Sequence, residues 1–189
     1  MAISTEDPSV RPPVAVGCLS MAAVVVALIA IAVFAVTYLE SGSEDGKVRL
    51  ELAASYGPGT FVSVPAHHLY LITLADRRFV ALADLDAANR AARGQRCRVT
   101  PLEPGPALTE AVAKHATRLS PQAAGVALFF QETCNGATYD AVGIRLDRDG
   151  RNLDRHAVEI DAEGRVVVDV AKRLCTAREG PETAVTVAC

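Results

Sequence analysis

The chain lacks the motifs by which enzymes are usually recognised, and it lacks an excess of either charge. Its 189 residues contain no HExxH pair, no glycine-rich phosphate loop and no Ser/His/Asp set. The 22 acidic and 19 basic residues nearly cancel, so no basic surface of the kind that binds nucleic acid is expected. Internal repeats and low-complexity tracts are also absent from the sequence. We therefore expect neither an enzyme, with no catalytic residue to name, nor a nucleic-acid-binding protein.

One long segment lacks charge altogether. Residues 14–39 carry no acidic or basic side chain, and about 20 apolar residues are enough for a helix to cross a bilayer. A cleavable signal peptide is the alternative, but its apolar core typically has about 7–15 residues behind a basic flank. We therefore predict an uncleaved transmembrane helix over residues 14–40. An N-terminal tail at 1–13 precedes this helix, and a polar tether at 41–47 follows it.

The orientation of this anchor follows from cysteine rather than from lysine and arginine. Basic residues flank both ends of the apolar run, so the positive-inside rule gives no useful bias. An even number of cysteines, compatible with disulfides, lies beyond the run: Cys97, Cys134, Cys175 and Cys189. Disulfides persist on the oxidising side of a membrane. We therefore expect a single-pass protein of the cell membrane, with a cytoplasmic N-terminus and an extracytoplasmic, periplasmic C-terminal domain.

The rest of the chain has mostly strand-like alternation, interrupted by one helical stretch. Short runs rich in β-branched and aromatic residues are separated by turn residues; they lie at residues 48–52, 60–64, 68–74, 79–83, 97–102, 125–132, 156–160 and 165–170. Apolar residues at helical spacing predict a helix over Ala107–Leu119. The predicted fold class is mainly β, with a single N-terminal transmembrane helix and an antiparallel β domain at 48–174 that contains one inserted helix. A C-terminal tail at 175–189 completes the chain.

The most specific pattern in the sequence is ETCNGATYD, from Glu132 to Asp140. A strand precedes it, and a terminal hairpin ending in GRVVVD follows it. This order of features resembles the Rieske iron–sulfur domain over roughly residues 48–170, which is most of the domain that follows the anchor. In that family, two loops of the form Cys-x-His-x-Gly-Cys and Cys-x-x-His-Gly-Ser-x-Tyr/Phe-Asp clamp a 2Fe–2S cluster. The first cysteine and the histidine of each loop bind iron, and the two remaining cysteines form a disulfide.

The resemblance implies that this chain has lost its cluster ligands. In the second loop, Glu132 occupies the ligand-cysteine position and Asn135 occupies the ligand-histidine position. In the first loop, the two ligand positions hold Ala92 and Gly94. Rieske iron needs two thiolates on one metal ion and two imidazoles on the other, and none of these residues offers either group. We therefore expect no metal site and no cofactor.

The resemblance also implies that the disulfide of the two loops is kept, because both of its positions hold cysteine: Cys97 and Cys134. A second bridge between Cys175 and Cys189 would pin the C-terminus, which otherwise tends to fray; free thiols or an intermolecular contact are the alternatives. Arginines cluster around the first loop and are our candidates for contact with a partner, the alternative being a solvated loop: Arg90, Arg93, Arg96 and Arg98.

By analogy with this family, we expect a non-catalytic, membrane-anchored subunit of a respiratory-chain or photosynthetic electron-transport complex. Its cluster-free Rieske-like domain would serve as a structural subunit in assembly or docking. Small residues in the anchor suit close packing against the helices of other integral membrane subunits: Ala22, Ala23, Ala27, Ala30, Ala32 and Ala35. The alternative is a free-standing extracytoplasmic binding or sensing module on the same anchor, which a well-formed pocket would favour. A Rieske electron carrier would need ligands that the sequence lacks.

Overall fold

The computed structural model describes three parts of the chain: residues 24–34, 46–88 and 97–189. The chain divides into two units, Met1–Glu44 and Asp45–Cys189. In the first unit, residues 24–34 are helical and their large apolar side chains are exposed. Among the residues that the structure describes, no helix is both long enough and apolar enough to span a membrane. Most of the predicted anchor at 14–40 lies outside the described residues, as do the N-terminal tail and most of the tether.

The second unit is mainly β, as the sequence predicts, and its strand pairs are antiparallel. Its described residues form these strands: β1 (Lys47–Leu52), β2 (Phe61–Val64), β3 (Leu69–Thr73), β4 (Phe79–Ala83), β5 (Val99–Pro101), β6 (Phe129–Glu132), β7 (Thr138–Asp140), β8 (Gly150–Arg151), β9 (Arg155–Ile160), β10 (Arg165–Leu174), β11 (Thr176–Glu179) and β12 (Glu182–Thr186). They are arranged in a six-stranded sheet, β1-β10-β9-β4-β3-β2, and in two three-stranded sheets, β5-β6-β7 and β12-β11-β8.

The six-stranded sheet consists of two halves that are joined at a short seam. Strands β4 and β9 pair at Ala81 with His156 and at Leu82 with Arg155. On one side of this seam, β1 and β10 extend the sheet from β9; on the other side, β3 and β2 extend it from β4. Because the seam is short, the two halves separate toward the N-terminal end of β4.

Strand β3 is buried on both faces, which explains its nearly continuous apolar sequence. Side chains alternate between the two faces of a strand. Leu69 and Leu71 therefore pack in one apolar cluster, with residues of β1 and β10. Tyr70 and Ile72 pack in the other cluster, with residues of β6 and β7. The β5-β6-β7 sheet is thus fixed against the six-stranded sheet through the side chains of β3.

The inserted helix spans Pro106–His115, and a 3-10 turn at Ala116–Arg118 extends it. These bounds agree with the predicted helix at Ala107–Leu119. Proline stands at the first helical position, where its missing N–H removes no intrahelical bond. Within the helix only His115 is buried, so the helix lies on the surface of the domain and contributes little to the core.

The C-terminal segment 175–189 forms a hairpin, where the sequence indicates a tail. Strand β11 pairs with β12 on one side and with Gly150–Arg151 on the other. A disulfide between Cys175 and Cys189 closes the base of this hairpin, with Cα atoms 5.4 Å apart. The domain therefore continues past residue 174 to the end of the chain, because β11 takes part in the third sheet.

Candidate functional site

The loop between β6 and β7 is closed by the carboxylate of Glu132. This side chain is 1% exposed, and it accepts hydrogen bonds from the backbone N–H groups of Cys134 at 2.8 Å and Asn135 at 2.5 Å. The backbone N–H of Gly136 donates to the Glu132 carbonyl at 3.0 Å. Gly136 has a φ of +69°, a conformation that glycine adopts without a Cβ penalty. The loop thus folds back on the residue at its own start.

A disulfide joins this loop to the segment that precedes β5. Cys97 is bonded to Cys134, with Cα atoms 5.5 Å apart. The backbone N–H of Thr133 also donates to the Arg98 carbonyl at 3.0 Å. One covalent bond and one hydrogen bond therefore hold the two segments together. The disulfide that the family resemblance implies is present in the structure, as is the second predicted disulfide at the C-terminus.

The residues of the second loop do not fit a 2Fe–2S cluster. Such a cluster needs thiolate and imidazole ligands, whereas this loop offers the Glu132 carboxylate and the Asn135 amide at those positions. The thiols nearby cannot replace them, because Cys97 and Cys134 are joined in a disulfide. Their ligand atoms and those of Glu132 lie within 4.8 Å of one another, the one such group found in the described ranges. A disulfide offers no thiolate, however, and the Glu132 carboxylate already accepts two amide hydrogens. The other two residues that the resemblance aligns with ligand positions, Ala92 and Gly94, lie outside the described residues.

The residues that end the family pattern, Tyr139 and Asp140, are fully buried beneath this loop. The Asp140 carboxylate accepts backbone N–H groups from Ser120 at 3.1 Å, Val142 at 3.0 Å and Ile144 at 2.9 Å. Burial nevertheless outweighs these bonds and raises the pKa of Asp140. Burial also raises the pKa of Tyr139, whose hydroxyl has no hydrogen-bond partner among the described residues. Asp140 therefore organises the turn that follows β7.

Arg98 is the predicted partner-contact arginine that the structure describes, and its guanidinium is bound within the domain. It donates to the Asp84 carboxylate and to Nδ1 of His68 at 2.7 Å. Because arginine only donates, Nδ1 of His68 is the acceptor in this contact. Arg98 therefore forms an ion pair with Asp84 inside the domain. The other three predicted contact arginines lie outside the described residues: Arg90, Arg93 and Arg96.

A small cavity of about 210 Å³ lies beside the Arg98 network, and His67, His68 and His156 are among its lining residues. Three imidazoles around one cavity suggest a metal ion at first sight. In the part of the chain that the structure describes, however, their ligand atoms do not come together in a metal-binding group. This cavity therefore has no donor set for a metal ion.

A larger cavity, of about 390 Å³, lies where β4 and β9 separate. Its lining is mostly apolar and includes Leu74, Phe79, Val80, Val142, Val158 and Leu174. Arg155 also lines it. The sequence carries no signal for Arg155, because it lies outside the predicted strand at 156–160 and belongs to no motif. Its place opposite Leu82 at the seam is what brings it to the cavity.

Comparison with known proteins gives no match: no family model matches the chain, and no curated protein or solved structure matches it.

Proposed function

We propose that the chain is a non-catalytic, membrane-anchored subunit of an electron-transport complex, and that its β domain is a cluster-free Rieske-like domain used for assembly or docking. One observation carries this proposal. The Cys97–Cys134 disulfide ties the two loops together, while Glu132 takes up the amide hydrogens of the second loop. Such a domain would keep the two loops joined in a fixed arrangement, but without iron ligands it could not carry electrons.

The position of the loops supports the Rieske-like part of the proposal. Both disulfide cysteines lie next to the β5-β6-β7 sheet. Tyr139 and Asp140 follow the second loop directly in β7, and the β9–β10 hairpin comes after them along the chain. This is the order of features that the resemblance leads us to expect. The step from such a domain to electron transport is made by analogy with the family.

The membrane location is inferred from the uncharged run at residues 14–39 and from its small side chains. Residues 24–34 of this run are helical. Two disulfides in the β domain fit the oxidising side of a membrane. We therefore place the β domain outside the cytoplasm and the N-terminus inside it.

Isolation of the chain with its native partners tests this function. An affinity-tagged full-length chain, extracted from its own membranes in mild detergent, should copurify with the integral subunits of one electron-transport complex at fixed stoichiometry. Deletion of the chain should loosen or mis-assemble that complex, while electron transfer in any intact core stays nearly unchanged. Purification without a partner would contradict the proposal, as would loss of turnover in a fully assembled complex.

Charge reversal near the first loop tests the docking contact itself. Arg98 is left unchanged, because its guanidinium already binds within the domain. Three predicted contact arginines are replaced together by glutamate: Arg90, Arg93 and Arg96. Association should weaken more at low salt than at high salt, because exposed charges are screened over about 10 Å at 0.1 M. The matched control reverses the exposed Arg148 and Arg165 and should leave association unchanged.

A free-standing binding or sensing module is the second candidate, and the larger cavity favours it. Its volume of about 390 Å³ lies within the range of about 300–1,000 Å³ that is usual for small-molecule sites. The copurification experiment separates the two candidates, since a free-standing module would leave the membrane without a stoichiometric partner. Ligand binding alone does not separate them, because a structural subunit can also hold a small molecule.

A further inference from the structure

The larger cavity is a product of the sheet's irregularities rather than of one loop. Beyond the seam between β4 and β9, Val80 and Val158 line the opening that the separating strands leave. Strand β10 contributes through a bulge between Asp169 and Arg173. The shifted register after this bulge pairs Leu174 with Arg155, and both of these residues line the cavity. Paired strands therefore form much of the cavity wall, and residues of turns and loops complete it: Leu74, Arg78, Gln122 and Val142.

Arg155 lines this cavity, and two of its three guanidinium nitrogens lack hydrogen-bond partners in the described part of the chain. Its Nε and Nη2 atoms are buried and have no hydrogen-bond partner among the described residues. Arginine cannot be deprotonated in a protein, so the charge persists despite its burial. Burial lowers the pKa of Arg155, and the charge of Asp140 offsets this in part. The Asp140 carboxylate, however, accepts hydrogen bonds from three backbone N–H groups and none from Nε or Nη2 of Arg155.

A second buried arginine, Arg178, has main-chain acceptors for part of its guanidinium. The Arg178 guanidinium donates to the carbonyl of Arg118 at 2.7 Å and to that of Arg145 at 3.3 Å. Burial lowers the pKa of Arg178 as well, yet its Nη1 atom has acceptors from the main chain. Its Nε atom has no hydrogen-bond partner among the described residues, so Arg178 has one buried nitrogen of this kind where Arg155 has two. Buried donors without an acceptor are costly, and an anion at Arg155 would reduce that cost.

The remaining lining residues restrict which anion fits. Arg78 also lines the cavity, but its Nε donates to Asp76 at 2.7 Å. Gln122 and His156 are the other polar residues of the lining. Arg155 is then the arginine of the lining that forms no ion pair with a neighbouring carboxylate among the described residues, and nearby Asp140 opposes a second negative charge. This balance suits a monoanion rather than a phosphate monoester, which carries nearly two charges at neutral pH. The mostly apolar lining suits an alkyl or aryl body, and a guanidinium matches a carboxylate in geometry.

We propose that this cavity binds a monocarboxylate with a compact apolar body, and that Arg155 is the residue that binds the carboxylate. The inference goes beyond the proposed subunit role and does not depend on it. A chain that copurifies with no complex would still bind the ligand, and a chain that assembles into a complex would still fail this test if the cavity took no carboxylate.

Fluorine NMR on the full-length chain in zwitterionic lipid nanodiscs tests the site. The probe is 4-(4-fluorophenyl)butanoate, its neutral counterpart is the corresponding amide, and empty nanodiscs give the signal from partition into lipid. We expect saturable binding of the carboxylate by the chain and at least about tenfold weaker binding of the amide, because a charge-assisted bond is lost. Absence of saturable binding above the empty nanodiscs overturns the proposal, as does equal affinity for the amide.

Variants assign the binding to Arg155 and to the cavity. Arg155→Met removes the charge at similar length and should weaken binding at least about tenfold. Arg148→Met, at an arginine that is exposed and does not line the cavity, is the matched control and should bind like the unchanged chain. Ala157→Phe fills the cavity from β9 while keeping the guanidinium, and it should abolish binding; it decides the question if Arg155→Met does not fold. Unchanged affinity in either cavity variant overturns the proposal.

Discussion

Several buried charges in this domain are satisfied by main-chain groups. Glu132 accepts two backbone N–H groups from the loop that follows it, and Asp140 accepts three around its own turn. Arg178 donates to two carbonyls. Charged hydrogen bonds of this kind are stronger than neutral ones. Each of these side chains therefore fixes a segment of irregular backbone, and its removal should affect that segment first.

Replacement of Glu132 by alanine should lower the free energy of unfolding by about 1–3 kcal/mol, the usual cost of leaving buried donors without an acceptor. Glu132→Gln keeps one acceptor oxygen and should lose less. Urea denaturation without reductant measures both changes. Glu159→Ala is the control: its exposed pair with Lys47, at 2.9 Å, should contribute about 0–1 kcal/mol. Equal losses at the two positions would show that the Glu132 carboxylate does not organise the loop.

His115 should make the domain less stable below neutral pH. It is the buried residue of the inserted helix, and burial lowers its pKa below the ordinary 6.5. The unfolded chain therefore binds the proton more tightly than the folded chain does. The stability that neutral His115 contributes is fully present above pH 6.5 and is lost as the pH falls through the lower folded-state pKa.

The measurement for His115 compares unfolding free energies at pH 7.5 and at lower pH in the unchanged chain and in His115→Gln. The free energy of unfolding of His115→Gln should fall less at low pH than that of the unchanged chain. A comparison between variants is needed because the pKa of Asp140 is raised, which makes folding more favourable as the pH falls through it. His67→Gln, at an exposed histidine, is the control. An identical pH dependence in His115→Gln and the unchanged chain would contradict the prediction.

At the scale of the element, the strands that could be predicted from sequence are those with clear alternation or a continuous apolar run. The runs at 48–52, 60–64, 68–74 and 79–83 correspond to β1, β2, β3 and β4. The strands β7, β8, β11 and β12 were not predicted. β8 has two residues, too few for a period, and all three residues of β7 are buried. A strand of two or three residues is too short to show either alternation or an apolar run, whereas the longer β3 is recognisable although both of its faces are covered.

The second loop could be located from the sequence because its residues are contiguous, and the disulfide of Cys97 with Cys134 followed from the family pattern. The part played by Glu132 could not, because the hydrogen bonds of its carboxylate depend on the loop conformation. Arg155 was not predicted as a site residue for a related reason. Its surroundings come from β4, β9 and β10, which meet only in the folded sheet.

The two disulfides should differ in how much each contributes to the free energy of unfolding. On the chain-entropy model, the 37-residue separation of Cys97 and Cys134 contributes about 4 kcal/mol, and the 14-residue separation of Cys175 and Cys189 about 3 kcal/mol. Paired Cys→Ser variants, unfolded in urea without reductant, measure these losses. Loss of the first disulfide should also expose the loop after β6 to proteolysis, since it is the covalent tie between the two segments.

Peptide mapping without reduction is the companion measurement for the disulfides. It should recover Cys97 linked to Cys134 and Cys175 linked to Cys189, each as one pair. Removal of the C-terminal disulfide should leave the β11–β8 pairing in place, because that contact does not pass through either cysteine. Free alkylation of Cys97 and Cys134 in the unfolded, unreduced chain would contradict the first pair and remove its support for the Rieske-like assignment.

At the scale of the whole β domain, the loop pair and the larger cavity belong to different sheets. The loops are attached to β5-β6-β7, whereas the cavity opens at the seam of the six-stranded sheet. Asp140 is a link between them. It ends β7 and organises the following turn, and its charge acts on Arg155. A ligand carboxylate bound to Arg155 would therefore interact with the same guanidinium charge that the Asp140 carboxylate stabilises.

The final prediction concerns iron. Full-length chain produced under cluster-replete conditions should be colourless and silent in low-temperature EPR after reduction. Glu132 and Asn135 offer neither a thiolate nor an imidazole, and the cysteines of the described residues are joined in two disulfides. A variant that restores all four ligands serves as the positive test of the loop geometry: Ala92→Cys, Gly94→His, Glu132→Cys and Asn135→His. If the loops keep a Rieske-like arrangement, this variant should gain a reduced EPR signal, because two thiolates and two imidazoles again face one cluster. A signal of that kind in the unchanged chain, stoichiometric with protein, would overturn the cluster-free reading and with it the structural-subunit proposal.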